Sequence, residues 1–109
     1  MAKRQRVYSP QTVDAVTLLG RLIRARRIER RMTAADVAER AGMTRVTLRR
    51  IENGDPGTDI GLYFEVATLV GVPLFDATPQ ALRRASREVA ERLTLLPRHA
   101  HRPRVDDDF

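Results

Sequence analysis

The stretch from Thr33 to Gly54, TAADVAERAGMTRVTLRRIENG, leaves this chain few ways to fold. It reads as two short helices joined by a tight turn. Thr33 caps the first of them, and Asp36 follows at the spacing that satisfies the free amides of a helix start. Apolar spacing predicts a helix over 34–41, with Val37, Ala38 and Ala41 on one face. Gly42 falls where the chain must turn, and glycine takes a left-handed backbone without steric cost. Thr44 supplies a second cap. The following helix runs from Arg45 to about Asn53 and stops at Gly54, a C-terminal signal. Leu48 and Ile51 form its inward face, while Arg45, Val46, Thr47, Arg49 and Arg50 occupy the others.

A small residue at Ala38 lets the two helices approach closely at a steep angle. Val37, Leu48 and Ile51 then lock the pair to a third element, and the arginines of the second helix are left pointing outward. Charge supports that orientation. Between Arg21 and Arg50 stand ten arginines against Glu29, Asp36 and Glu39, a local excess larger than the net +6 of the whole chain. Such a concentration is the footprint of a polyanion binder. The bland alternative is an ordinary helical hairpin with solvated arginines, but that needs neither the glycine turn nor the biased charge. On this reading Arg45, Val46 and Arg50 read base edges in a major groove. Thr33, Thr44, Thr47, Arg49 and Asn53 meet the backbone.

The flanks predict three more helices. Ser9-Pro10 starts the first as cap plus proline, and it is expected to continue to Arg31. Val13, Val16, Leu19, Leu22, Ile23 and Ile28 make its apolar side, and Gly20 marks a bend or a close approach. The loop Asp55-Pro56-Gly57-Thr58-Asp59 leads to a helix over 60–70 that is apolar nearly all round, which implies burial. Tyr63, Phe64, Val66, Ala67 and Val70 are expected in the core, joined by Phe75. Thr78-Pro79 opens a last helix, which ends at Pro97. Its narrow stripe of Leu82, Ala85, Val89, Leu93 and Leu96 either folds onto its own domain or forms a dimer seam. The seam is the favoured reading, because duplex-binding proteins of this kind commonly work as two-fold dimers. The expected layout is a basic arm over 1–8 and a DNA-binding domain over 9–77. A dimerising helix over 78–96 and a flexible tail over 97–109 complete it.

Other classes find little support. With no cysteine there is no disulfide framework and no thiol nucleophile, which fits a cytoplasmic location. Nothing in the sequence is long and apolar enough to span a membrane. No catalytic constellation is legible, so neither an enzyme nor a cofactor is expected. His99 and His101 sit alone in the tail, and no metal site is expected there. The tail ends Asp106-Asp107-Asp108-Phe109, acids that would repel a duplex around one aromatic, which suits docking to a protein partner instead.

The pattern Thr33, Val37, Ala38, Gly42, Thr44, Leu48, Ile51 and Glu52-Asn53-Gly54 resembles the helix-turn-helix of the Cro/phage-repressor (XRE) family. That resemblance implies an all-α, five-helix repressor-like fold. It also implies an ion pair between Arg27 and Glu52, tying the first helix to the recognition helix. Where the family often has glutamine this chain has Ala34, and Asp55 and Asp59 stand where basic residues often grip phosphate. More narrowly, RRIENGDPGTDIGLYFEVATLVGVPLFD and the ending LLPRHAHRPRVDDDF look like HipB-type antitoxins. This implies a homodimer that binds operator DNA and holds a HipA-like serine/threonine kinase toxin inactive. A solitary regulator of the same family is the first alternative. A protein- or membrane-interaction module with a basic face is the alternative from another class.

Overall fold

A computed structural model describes residues 6–100 of the chain. Lys3 and Arg4 of the arm, and the tail anchor Asp106, Asp107, Asp108 and Phe109, lie outside the described residues. Among the described residues there are five helices and no strand: α1 Pro10–Glu29, α2 Ala34–Ala41, α3 Arg45–Glu52, α4 Ile60–Val70 and α5 Pro79–Leu95. Two compact units divide the chain, one ending at Asp76 and the other beginning at Ala77.

Four of the five helices start on a hydroxyl. Ser9, Thr33, Thr44 and Thr78 each accept the amide hydrogen three residues on. Proline stands at the first position of α1 and α5, where its missing N–H costs nothing. Between α2 and α3 the chain reverses at Gly42, whose φ of 72° is the left-handed turn expected there.

The first unit closes around Ile23, Val37, Leu48, Ile51, Val66 and Val70, all fully buried. Ala38, Ala67 and Tyr63 complete the centre, and Val16, Leu19 and Phe64 pack partly against it. Helix α1 touches both α3 and α4, and α2 does likewise. At Gly20 α1 comes close against α3. A methyl group there would overlap the Ile51 carbonyl oxygen and lie 3.1 Å from that of Glu52. Gly54 reciprocates at the end of α3, where a side chain would come within 2.6 Å of the Thr17 backbone. Gly20 therefore marks close packing, not a bend.

Several expectations need correction. Helix α1 stops at Glu29, not Arg31. The Met32 amide bonds back to the Arg27 carbonyl and the Arg31 amide to that of Ile28, so the chain leaves the helix with Arg31 at φ 56°. Val13, Leu22 and Ile28 are 40%, 46% and 53% exposed, because only the face carrying Val16, Leu19, Gly20, Ile23 and Arg27 meets the rest of the unit. Phe75 is 82% exposed. Left-handed backbone at Phe75 and Asp76 turns that ring away from the centre, leaving it an edge contact with Phe64 at 6.2 Å between centroids. Nor is α4 buried on every side, since Ile60 is largely exposed.

The tight α1–α3 crossing makes Gly20 intolerant. Gly20→Ala should lower unfolding stability by about 1–3 kcal/mol, the usual effect of overpacking. Gly61→Ala, on α4 with open space around it, should instead raise stability by about 0.4–1 kcal/mol. Urea unfolding of both variants checks the contrast; equal effects would mean the two helices do not approach as described.

Candidate nucleic-acid interface

The second helix of the helical pair, α3, presents two faces of different chemistry. Leu48 and Ile51 are buried, whereas Arg45, Val46, Arg49 and Arg50 are exposed. Val46 is 58% exposed and lies between the arginines around the helix. The helix thus buries aliphatics on one side and shows guanidinium groups to solvent on the other. Arginine forks suit both phosphate oxygens and guanine edges.

Two clefts flank this helix. One, of about 580 Å³, is lined by Arg24, Thr33, Arg45, Arg49 and Asn53, with Arg27 and Glu52 also in its wall. The other, of about 960 Å³, lies between Thr47 and Arg50 on one side and the loop Asp55 to Asp59 on the other, with Arg6 and Tyr8 at its edge. Residues grouped by sequence are thereby sorted. Arg45 shares a flank with Arg49, Thr33 and Asn53, while Arg50 shares the opposite one with Thr47. Arg24 of α1 joins the first group. Arg6, its guanidinium 5.6 Å from the Tyr8 ring centre, joins the second.

The three threonines differ in what they have left to offer. Thr33 Oγ1 accepts the Asp36 amide at 3.0 Å, which leaves its own hydrogen available to donate. The Thr44 hydroxyl accepts the Thr47 amide at 3.1 Å and donates to Thr47 Oγ1 at 3.0 Å. Thr47 therefore holds the free hydroxyl hydrogen of that pair.

Arg27 and Glu52 meet in a two-pronged ion pair. Arg27 Nε donates to Glu52 Oε2 at 2.7 Å and Nη2 to Oε1 at 3.0 Å. A third donor, Nη1, reaches the Met32 carbonyl at 3.1 Å. The side chains are only 14% and 9% exposed. Bonding to Glu52 raises the Arg27 pKa further, outweighing burial, which acts the other way. Arg24 adds a long contact of 4.0 Å to the same carboxylate from solvent. Glu52, the one acid on α3, is thus neutralised before any duplex arrives.

The loop after α3 is held from below. Tyr63, 3% exposed, donates its hydroxyl to the Asp55 carbonyl at 2.7 Å. The Asp55 carboxylate accepts the Gly57 amide at 3.0 Å and the Thr58 hydroxyl at 2.9 Å. Those two bonds keep its pKa below the ordinary value. Burial, with the nearby Asp55 charge, pushes the Tyr63 phenol up to about 12. Sequence placed Tyr63 in the core but gave no sign that it anchors the loop, because the partner is a backbone carbonyl.

Elsewhere, Leu82, Val89 and Leu93 of the apolar stripe lie along α5, which buries none of its residues, and Leu96 follows as its C-cap with extended backbone, so the helix ends one residue short of the expected 96. Among the described residues no cluster of acids and histidines could hold a metal ion, and no helix is long and apolar enough to cross a membrane.

Comparison with known proteins gives one match. A family described as helix-turn-helix domain matches residues 18–76, from the middle of α1 to the end of the first unit. Neither curated proteins nor solved structures gave a match.

Two outcomes follow from this geometry. Glu52→Ala strands Arg27 in a largely buried position and should cost about 3 kcal/mol, the low end for breaking a buried pair. Glu39→Ala, on the exposed face of α2, should cost little; similar small shifts in melting temperature for both would remove the pair as a tie. Tyr63 sets an alkaline limit. The unfolded chain releases the phenolic proton near pH 10 and the folded chain only near 12. Stability is therefore full below pH 10 and falls as pH rises toward 12. Tyr63→Phe should flatten that fall in a pH series of urea midpoints, and an unchanged slope would contradict it.

Proposed function

Because the chain belongs to the helix-turn-helix domain family, a class of DNA-binding regulators, we propose that it is a sequence-specific repressor of double-stranded DNA with α3 as its recognition helix. The observation that carries this reading is the pairing of a capped, core-anchored α3 with four exposed outward residues, Arg45, Val46, Arg49 and Arg50. Arg45 and Arg50 read base edges, and Val46 between them gives an apolar contact, as to a thymine methyl group. Thr33, Thr44, Thr47, Arg49 and Asn53 position the protein on phosphates. Of these, Thr33 and Thr47 keep a free hydroxyl hydrogen to give. Thr44 acts chiefly by holding the start of α3.

The first unit is the DNA-binding part, preceded by a basic arm over 1–8. Helix α5 makes a homodimer through Leu82, Val89, Leu93 and, at its C-cap, Leu96, and the stretch 97–109 follows it. The finer reading is an XRE-family, HipB-like cytoplasmic antitoxin that represses its own operon and neutralises a HipA-like kinase. The GDPG segment after α3 and the VDDDF ending support it, with Asp106, Asp107, Asp108 and Phe109 as the docking segment for the kinase. A solitary regulator shares every feature of the DNA-binding unit, so the kinase arm of the test separates the two.

The test is one titration series with the full chain. Arg45→Ala and Arg50→Ala should each reduce discrimination between operator and scrambled duplex by about 1–3 kcal/mol. Retained specificity in both variants would overturn the base-reading assignment. In the parallel arm, removal of residues 105–109 should weaken binding to a HipA-like kinase and leave operator affinity unchanged or slightly raised. Unchanged kinase affinity, or no kinase binding by the full chain, would sink the antitoxin reading and leave the repressor.

A further inference from the structure

Helix α5 is the only helix among the described residues of its unit, and a single helix cannot cover its own apolar side. Val89, Leu93 and Leu96 are 44%, 61% and 52% exposed. Leu82, Ala85, Val89 and Leu93 of α5, with Leu96 at its C-cap, fall at intervals of three, four, four and three residues. That series reads the same in both directions, with Val89 at its centre. A stripe with this symmetry superposes on itself when one copy is turned end for end.

We infer, resting on the dimer proposed above, that two copies of α5 pair antiparallel about a two-fold axis at Val89. Side-chain volumes distinguish this from the parallel arrangement. In the antiparallel pair Leu82 faces Leu96 of the other copy, Ala85 faces Leu93, and Val89 faces Val89. Small then meets large in the intermediate layers, and the layers have even volume. A parallel pair would set Ala85 on Ala85 and Leu93 on Leu93, a void beside a crowded layer.

Charge points the same way. At about 100° per residue, Glu88 and Arg92 flank the stripe on one side. Ser86 and Ala90 flank it on the other. An antiparallel two-fold pair brings like flanks together. Glu88 of each copy then lies about 3 Å along the axis from Arg92 of the other. Two opposite-charge contacts close one edge of the seam, and small residues let the helices approach along the other. The two-fold axis makes the contact isologous, so it ends at two copies and does not propagate.

Cysteine cross-linking of the full chain tests the register. The chain has no cysteine, so an introduced thiol reports only its own contacts. Val89→Cys should oxidise to a linked dimer by itself. Ala85→Cys and Leu93→Cys should not, because like positions are about 12 Å apart along the axis in this arrangement. An equimolar mixture of those two should link. Self-linking by Leu93→Cys, with no link in the mixture, would establish a parallel seam and overturn the inference while sparing the dimer. A sedimenting dimer in which Val89→Cys does not link would place the seam elsewhere, again overturning it. A monomer in sedimentation of the unaltered chain would remove the dimer itself. Far-ultraviolet circular dichroism of each variant checks that α5 still forms. These sites are exposed, so the first unit should keep its helicity.

Discussion

The Arg27–Glu52 pair is the interaction on which the rest of the first unit depends. It joins the last turn of α1 to the last turn of α3, and its third hydrogen bond catches the Met32 carbonyl just before α2. Three helices are therefore referenced to one guanidinium. Arginine suits the position because its planar fork satisfies both carboxylate oxygens and still has a donor to spare, which a lysine ammonium could not do in the same geometry. A tie of this kind works only if the helices are already close. Gly20 makes that possible by bringing α1 onto the Ile51 and Glu52 carbonyls. The glycine and the ion pair are two halves of one device. One sets the spacing of α1 and α3, and the other sets their register.

The same pair shapes the electrostatics of the surface around α3. A free glutamate on α3 would repel phosphate. Held by Arg27, with Arg24 behind it, it contributes almost no field outward. On one flank of α3 the remaining charges are arginines. The other flank is mixed, with Arg6 and Arg50 facing Asp55 and Asp59. Part of Asp55 is occupied within the loop, where its carboxylate holds the Gly57 amide and the Thr58 hydroxyl. Of the two acids that depart from the usual phosphate-gripping pattern, Asp55 thus has a structural use: it shapes the turn that Tyr63 pins from beneath.

Within the second unit the reasoning is different in kind. Nothing in α5 is buried, so its stability must come from caps, helix propensity and whatever covers the stripe. Thr78 and Pro79 supply the start. A helix of this length is marginal alone in water, and that is the physical reason to expect a second copy along Leu82 to Leu96.

Much of this was legible in the sequence, because caps, turns and short apolar repeats are local. Threonine and serine caps, the Gly42 turn and proline at first helical positions each follow from one residue and its near neighbours. They located α2 to the residue and the starts of α1, α3 and α5, while the Asp55–Asp59 loop and an apolar run located α4. The Arg27–Glu52 pair came only by resemblance, since twenty-five residues separate the partners. What the sequence could not say was which apolar residues the fold would use. Val13, Leu22 and Ile28 look as core-forming as Ile23, yet the contacts of α1 with α3 and α4 bury one face and leave those three in solvent. Phe75 looked like core and was turned outward by two left-handed residues that no local rule requires there. The clefts that Arg45 and Arg50 line with other elements, and the Tyr63 hydroxyl under the Asp55 carbonyl, likewise arise only when separate helices pack. Local sequence sets where the backbone hydrogen bonds of a helix begin and end. Which side of that helix leaves water depends on neighbours far away in the chain.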